Sequence, residues 1–302
     1  MRLLITGSRG YLGSRLLDYL RAQDPRASIL GVSRHSRRQG ELACQFDNAL
    51  SVRKTLVSNR PDIVFHCVGT TLPGPWEALV RAHLLSTINV LEAVRAFPGK
   101  KPRVVIIGSA AEYGAGKPGA RFSEKDTPRP ETPYGLSKYL QTSLAMAYAR
   151  LGVPVVAARL FNLLVPDAPP AFAVSRVIGL LRGIPRGASC HLKVGPMNAI
   201  RDFLPLEEVF RALYLLGRDG KPGEIYNVCS GQGTRMGDLF DALADAAGVR
   251  VDWGMEGKGS QRFHASISVG NGAKIRRHTG WFPKSSFSTA VKTLVRPMGK
   301  NR

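Results

Sequence analysis

The chain has no uncharged apolar run of about 18 residues, the minimum for a bilayer-crossing helix, although 44% of its 302 residues are hydrophobic. A soluble globular protein is expected, long enough to bury a substantial core as one large α/β domain or two smaller ones. The apolar start Met1-Arg2-Leu3-Leu4-Ile5 is too short for a signal-peptide core and runs straight into glycines, so it reads as a first strand and a cytoplasmic location is expected. Cysteine is scarce. Cys44, Cys67, Cys190 and Cys229 are scattered, with no Cys-x-x-Cys and no His-rich cluster beside them, which argues for a reducing compartment and no structural metal. Acidic residues are also few, 22 Asp and Glu against 43 Lys and Arg, for a formal charge of +21. Such a charge invites a polyanionic partner. The cations are spread along the chain, however, with local concentrations only at Arg34–Arg38, Lys274–His278 and the tail from Lys292. No zinc-finger, helix-turn-helix or RNA-binding signature accompanies them, so nucleic-acid binding is not expected and anionic small ligands are. Internal repeats and low-complexity segments are absent.

What is present is alternation. Apolar runs at Leu3–Thr6, Ser28–Ser33, Ile63–Cys67, Val104–Gly108 and Val155–Arg159 read as strands. Amphipathic stretches at Tyr11–Gln23, Ala49–Asn59, Trp76–Phe97 and Pro133–Leu151 read as helices between them, the last opened by Thr132-Pro133. Strands apolar throughout and separated by helices mean a parallel sheet covered on both faces. Past Arg159 the pattern loosens into a Pro-rich loop at Val165–Pro170, a helix near Val174–Gly183 and an irregular stretch from Ile184 to Leu204. A helix at Pro205–Leu216 and a βα pair at Glu224–Cys229 and Met236–Ala247 follow. The division expected is residues 1–160 as a dinucleotide-binding domain and 161–302 as a substrate lobe, with some segments returning to the first.

Thr6-Gly7-Ser8-Arg9-Gly10-Tyr11-Leu12-Gly13 follows the first strand directly. Its glycines stand where side chains would block a tight turn and the approach of a pyrophosphate to a helix N-terminus. Gly7, Arg9, Gly10, Tyr11, Leu12 and Gly13 are therefore assigned to a dinucleotide. Tyr134-Gly135-Leu136-Ser137-Lys138 puts a phenol and an ammonium one helical turn apart on one face. The order and separation of the two motifs point to nicotinamide chemistry. At the end of the second strand a carboxylate would bind the ribose 2′-hydroxyl of NAD, whereas an arginine would accept the 2′-phosphate of NADP. The chain has Ser33-Arg34 there and no acidic residue from Ser28 to Gly40, so NADP(H) is expected. The bland alternative is a solvated basic loop with selectivity set elsewhere. Asp47 is a candidate acceptor for the adenine amino group, and an Asp in that place equally serves as a helix N-cap. Tyr134 would act as general acid with its pKa drawn down by Lys138 and by the oxidised nicotinamide. Ser109, at the carboxyl end of the fourth strand, would hold the same substrate oxygen.

These motifs, with Gly108-Ser109-Ala110-Ala111-Glu112-Tyr113-Gly114, Arg159-x-Phe161-Asn162, Arg201-Asp202-Phe203 and Tyr226-Asn227-Val228-Cys229-Ser230-Gly231, resemble the extended short-chain dehydrogenase/reductases that act on nucleotide sugars. The resemblance covers nearly the whole chain and implies a Rossmann-type doubly wound α/β fold with a smaller C-terminal substrate-binding lobe. It implies Ser109, Tyr134 and Lys138 as catalytic residues, and Val68 and Gly69 beside the cofactor. Asn162 is then placed at the sugar or first phosphate, Arg201 and Arg262 at the diphosphate, and Arg176 at the nucleotide or phosphates, where guanidinium groups suit phosphate oxygens. A homodimer through the helices carrying His83 and Lys138 is also implied.

The resemblance narrows the reaction as well. Ala110 and Ala111 stand where the family's dehydratases carry the Asp-Glu pair that performs elimination. Relatives that epimerise before reducing need a Cys and a His that the Ser109 and Asn162 regions do not offer. The expectation is NADPH-dependent reduction of a nucleotide-linked 4-keto-6-deoxy sugar, of the GDP-4-keto-6-deoxymannose type. Two alternatives stay open: a 4-epimerase that retains NAD, and a non-catalytic dinucleotide-sensing or scaffold protein. The chain departs from the family pattern at His83, usually Asn, at Ser86, usually Gly, at His66-Cys67-Val68-Gly69, usually His-x-Ala-Ala, and at His264, often Asp.

Overall fold

Strands buried on both faces need helices on both sides, and the sequence supplies them alternately. The computed structural model describes residues 1–35, 40–70, 74–165, 167, 172–255, 267–285 and 287–295. Strand β1 (Arg2–Thr6) leads into helix α1 (Tyr11–Gln23), then β2 (Ser28–Ser33), β3 (Glu41–Ala43), α2 (Ala49–Asn59) and β4 (Ile63–His66). The next helical stretch comprises α3 (Trp76–Leu79), a π-helical turn over Val80–Leu85, and α4 (Ser86–Arg95). Strand β5 (Arg103–Ser109), a short 3₁₀ turn at Ala110–Glu112, α5 (Pro133–Arg150) and β6 (Val155–Leu160) complete the first half.

These strands form an all-parallel seven-stranded sheet whose order runs from β3 through β2, β1, β4, β5 and β6 to a strand from the second half, β10 (Ile225–Val228). The order reverses between β1 and β4, so the crevice beyond their carboxyl ends is where a doubly wound sheet binds its ligand. One face of the sheet packs Leu16, Leu17 and Leu20 of α1 and Phe210, Leu213 and Leu216 of a second-half helix against Leu3, Ile5, Phe65 and Val105. The other face packs α2, α4 and α5 through Val52, Leu56, Val90, Val94 and Ala145. Each such leucine or valine taken out of water contributes about 1.5–3 kcal/mol.

Beyond β6 come β7 (Asn162–Leu164), α6 (Ala173–Arg182), β8 (Ser189–Val194), β9 (Ile200–Pro205) and α7 (Leu206–Asp219), the helix whose Phe210 packs on the main sheet. After β10 come β11 (Gly233–Arg235), α8 (Met236–Ala247), β12 (Arg250–Met255), β13 (Ile267–Ser268), α9 (Ala273–Thr279) and α10 (Phe287–Val295). A separate core joins α6, α8 and α10 to β7 and β9.

Two expectations about this chain need correction. Ile184–Leu204 is not irregular, because it contains β8 and most of β9. β8 is polar and half-exposed and pairs with β12, whose residues lie about 60 positions away (Ser189 with Arg250), so no local pattern announces it. The helix expected over Trp76–Phe97 is interrupted by the π turn. Among the described residues no helix is long and apolar enough to cross a membrane.

Candidate active site

The turn after β1 needs glycine for two separate reasons. Gly7 holds φ at +65°, and a Cβ there would lie 2.9 Å from the Cys67 carbonyl oxygen. Gly13 needs it because a Cβ would overlap the Gly7 carbonyl, which already accepts the Gly10 N–H at 2.8 Å. Helix α1 then starts with Gly10 as N-cap, no side-chain cap and no acidic residue in its first turn. Its first amides are left as donors for an anion. Leu12 packs inward on the sheet core. Ser33, buried at the end of β2, donates from Oγ to the His35 carbonyl at 3.0 Å, and Arg9 donates to the same carbonyl at 3.0 Å. Arg34 is exposed beside them. A glycine cradle, an uncapped helix and a cationic lip fit a dinucleotide. Arg37 and Arg38 lie outside the described residues.

Asp47 does not cap α2. Asn48 does, accepting the Ser51 N–H at 2.9 Å, and Asp47 instead faces Arg81 at 3.3 Å. Tyr11 has a partner the sequence did not suggest: its hydroxyl donates to Asp167 at 2.7 Å, and Arg15 lies over the Tyr11 ring at 3.9 Å while also pairing with Asp167. A contact spanning 156 residues thus ties the start of α1 to the segment after β7.

Ser109 ends β5, and Tyr134 and Lys138 lie on the first turns of α5, where Thr132 caps the helix by accepting the Gly135 N–H at 3.0 Å. The Ser109 and Tyr134 side chains are hydrogen-bonded. Lys138 is buried; its ammonium donates to the Ile107 carbonyl at 2.8 Å and to Gln141 Oε1 at 2.9 Å, while Gln141 donates to Thr87 Oγ1 at 2.8 Å. A Cβ on Gly69 would stand 3.6 Å from Lys138 Nζ, and one on Gly7 3.0 Å from the Val68 amide nitrogen, so the segment after β4 runs between the glycine loop and α5. Burial draws the Lys138 ammonium down to about 8 against the upward pull of Glu112. The Tyr134 phenol is not drawn down as expected. Burial pushes it up to about 12, with the Ser109 hydrogen bond opposing the rise and Glu112 adding to it, while the Lys138 ammonium is held by Ile107 and Gln141. When bound, oxidised nicotinamide would supply a positive charge that favours the phenolate.

Behind Ser109 lies a buried ion pair. Glu112 accepts the Ser109 N–H at 2.9 Å in a capping box, the Thr142 hydroxyl at 3.0 Å, and Arg159 Nε at 2.7 Å. Both side chains are almost wholly excluded from solvent, 3% and 0% exposed for Arg159 and Glu112. The guanidinium lies over the Tyr113 ring at 4.6 Å, and Tyr113 donates to Asn227 at 2.8 Å.

The π turn has a side-chain cause. The Ser86 N–H bonds the Arg81 carbonyl, one residue further back than in an α-helix, and the Ala82 carbonyl it bypasses is taken by the Ser86 hydroxyl at 2.6 Å. That hydroxyl also meets His66 Nε2 at 3.3 Å, and His66 Nδ1 meets Thr6 Oγ1 at 2.9 Å. His83, in the turn itself, is fully buried, with its ring nitrogens against the Thr70 N–H at 3.0 Å and Ser137 Oγ at 2.8 Å. Burial and the Lys138 charge hold both imidazoles neutral, each drawn down to about 3.

On the lobe side Asn162 follows β6 within two residues and donates to the Asp202 carbonyl at 3.2 Å. Arg201, on β9, is half-buried and donates to the Ile200 carbonyl at 3.0 Å, with its pKa lowered by burial. Asp202 is a hub the sequence did not single out: its carboxylate accepts from the Ser230 amide and hydroxyl at 2.7 and 2.6 Å, the Gly231 amide at 2.8 Å and the Gly270 amide at 3.1 Å. Arg176 is exposed on α6, 3.5 Å from the Lys193 carbonyl. Arg262 and His264 lie outside the described residues. The structure therefore brings Ser109, Tyr134, Lys138, Gly69 and the glycine loop to the carboxyl ends of β1, β4 and β5. Sequence reasoning missed Glu112, Arg159, Gln141 and Asp167; Arg159 and Asp167 are identified only by distant partners, whereas the Ser109-x-x-Glu112 spacing is a capping-box signal that could have found Glu112.

The family model described as the NAD dependent epimerase/dehydratase family matches residues 3–229. The GDP-6-deoxy-D-mannose reductase of Pseudomonas aeruginosa is 29% identical over 97% of this chain and 96% of its own length. The solved structure of RMD from Pseudomonas aeruginosa complexed with NADPH is similar at a TM-score of 0.81 and 28% identity, covering 97% of this chain and 96% of that one. A probable dTDP-glucose 4,6-dehydratase of Sinorhizobium fredii is 26% identical over 98% of this chain and 92% of its own. Relatives with different activities thus lie at comparable identity.

Proposed function

The chain belongs to the NAD dependent epimerase/dehydratase family, and from that premise we propose that it is an NADPH-dependent reductase of a nucleotide-linked 4-keto-6-deoxy sugar, of the GDP-4-keto-6-deoxymannose type. The observation that carries the reading is Ala110-Ala111 directly after Ser109: the site has a proton donor at Tyr134 and no acid–base pair for elimination. The cationic end of β2 and the 29% identity to a GDP-6-deoxy-D-mannose reductase support it further. Residues 1–160 act as the dinucleotide domain, joined by segments such as β10 and α7 that return to it, and the rest of 161–302 as the substrate lobe, whose Asn162, Arg176, Arg201 and Arg262 receive the sugar and diphosphate. The cofactor supplies the hydride. Ser109 holds the ketone oxygen by hydrogen bonding, and Tyr134 gives that oxygen its phenolic proton. The Lys138 ammonium, tied to Ile107 and Gln141, and the oxidised nicotinamide would together supply the positive charge that eases the loss of that proton.

The reading includes a cytoplasmic homodimer joined through α3, α4 and α5, where Trp76 and Leu136 are 43% and 40% exposed; light scattering tests the mass. Activity is tested by NADPH consumption with GDP-, dTDP- and UDP-linked 4-keto sugars. No consumption with any of them sinks the reductase. Tightly retained NAD in the purified protein would mark the 4-epimerase instead, and binding of neither cofactor the non-catalytic protein.

A further inference from the structure

The imidazole of His83 links the segment after β4 to the first turn of α5 by hydrogen bonds at both ring nitrogens. Its Nε2 lies 3.0 Å from the Thr70 backbone N–H, which only donates, so Nε2 is the acceptor and the proton of the neutral ring is on Nδ1. Nδ1–H therefore donates to Ser137 Oγ at 2.8 Å, and the Ser137 hydroxyl donates in turn to the Tyr134 carbonyl at 2.8 Å. The ring edge also packs on the Tyr134 ring, 5.8 Å between centroids at 73°. A Cβ on Gly69 would lie 3.1 Å from the imidazole, so the segment after β4 is pressed against it.

His83 is held in this place by the π turn, which Ser86 closes through the Ala82 carbonyl and which His66 braces from β4. His83 and Ser86, two departures from the family pattern, thus belong to one arrangement. The Thr70 N–H, both His83 ring nitrogens and the Ser137 hydroxyl are each paired. A buried network satisfied in this way holds a single geometry, and losing one member leaves buried groups unpaired.

We propose that His83 is a positioning residue: its Nδ1–H tautomer sets the first turn of α5, and with it the Tyr134 phenol, at a fixed distance from the cofactor-facing segment Gly69–Thr70. It touches neither substrate nor reacting atom. The inference rests on the reading of Tyr134 as the proton donor.

Three variants and one spectrum test it. His83→Phe keeps a flat ring against Tyr134 and removes both hydrogen bonds, His83→Gln restores one donor and one acceptor on a planar group, and Ser137→Ala removes the bridge. The expected result is that His83→Phe lowers kcat at least tenfold per folded molecule, changes KM less than threefold, and displaces the pH limb of kcat. His83→Gln should recover at least threefold of that loss, and Ser137→Ala should add nothing in the His83→Phe background. A kcat within twofold of wild type, an undisplaced pH limb, or additive losses would overturn the proposal.

Should the wild-type enzyme reduce none of the ketones offered, the activity reading fails by itself and the positioning role is read without turnover. Imidazole ¹⁵N shifts should show His83 neutral and protonated at Nδ1 at pH 7. The Tyr134 ring titration, followed by ¹³C-tyrosine NMR, should move by at least half a pH unit between wild type and His83→Phe. An Nε2–H tautomer or an unmoved Tyr134 titration overturns it.

Discussion

Replacing Glu112 by Gln should be among the costliest single-atom changes available in this protein. The carboxylate is 0% exposed and accepts three hydrogen bonds, from the Ser109 amide, the Thr142 hydroxyl and Arg159 Nε. An amide oxygen placed at Oε1 still accepts from Ser109 and Thr142, but the amide NH₂ then faces Arg159 Nε, donor against donor. Arg159 cannot shed its proton, and its Nη1 already finds no partner. The substitution therefore leaves a buried, uncompensated charge, and breaking a pair of this kind by removing one partner costs about 3–5 kcal/mol. At roughly 2–4 °C per kcal/mol, the scale for chains somewhat smaller than this one, the midpoint of thermal unfolding should fall by about 6–20 °C. Urea unfolding followed by circular dichroism gives the free energy directly. The double variant Glu112→Leu, Arg159→Met removes both charges and should recover most of the loss, because an apolar pair of similar volume carries no desolvation penalty. Turnover per folded molecule should drop in Glu112→Gln if the capping box is disturbed, since the same carboxylate holds the Ser109 amide. Stability of Glu112→Gln within about 1 kcal/mol of wild type would refute the reasoning, because surface ion pairs are worth that much and buried ones are not.

Four more outcomes follow from the same structure. His66 and His83 keep folded-state values of about 3 against an ordinary 6.5, so the unfolded chain takes up protons that the folded chain refuses between those pH values. Their contribution is complete above pH 6.5 and is lost as pH falls; at pH 5 each costs about 2 kcal/mol, together about 4. Urea unfolding at pH 7.5 and 5.0 should show the fall, and His83→Phe should remove about half of it; equal pH dependence in both proteins would count against a buried neutral His83. Arg34→Asp should reverse the cofactor preference, measured by calorimetry as a change of tenfold or more, about 1.4 kcal/mol, in the ratio of NADPH to NADH affinity. Reduction should decline as pH rises through about 8, where Lys138 loses its proton, and Lys138→Arg should push that limb higher because a guanidinium stays charged. Asp167→Asn should raise the NADPH dissociation rate at least threefold in stopped-flow fluorescence, since it loosens the link from Tyr11 and Arg15 to the segment after β7. Its effect on stability should stay below about 1 kcal/mol for a pair this exposed.

Much of the architecture was legible because each element carries its own signal. The bounds of α1, α2, α8 and β2 coincide with the apolar periodicity that announced them, and β1, β4, β5, β6 and β10 differ by one residue at one or both ends, whereas the three-residue β3 carries no such signal. The glycine loop was legible for the same reason: a positive φ at Gly7 and a close contact at Gly13 are demands of one short turn. Ser109, Tyr134 and Lys138 could be named together because strand ends and helix starts place them. What could not be read was which polar group meets which. Asp47 read as readily as a helix cap as an adenine contact, and Asn48, not singled out, is the residue that caps α2. The drawn-down phenol expected from Tyr134 and Lys138 assumed that the ammonium points at the ring. Gln141 and the Ile107 carbonyl take it instead.

The sequence by itself determined the alternation, the parallel sheet, the dinucleotide turn and the three residues at its mouth. These follow from steric and hydrophobic rules that act within about a dozen neighbouring residues. Only the tertiary structure decided the pairings that make those residues a site: Glu112 with Arg159 across 47 residues, His83 with Ser137 across 54, Tyr11 with Asp167 across 156, and β8 with β12. A buried charge or imidazole is stabilised by whatever donor or acceptor the packed chain brings to it. That partner is chosen by the fold as a whole, and no local pattern encodes it.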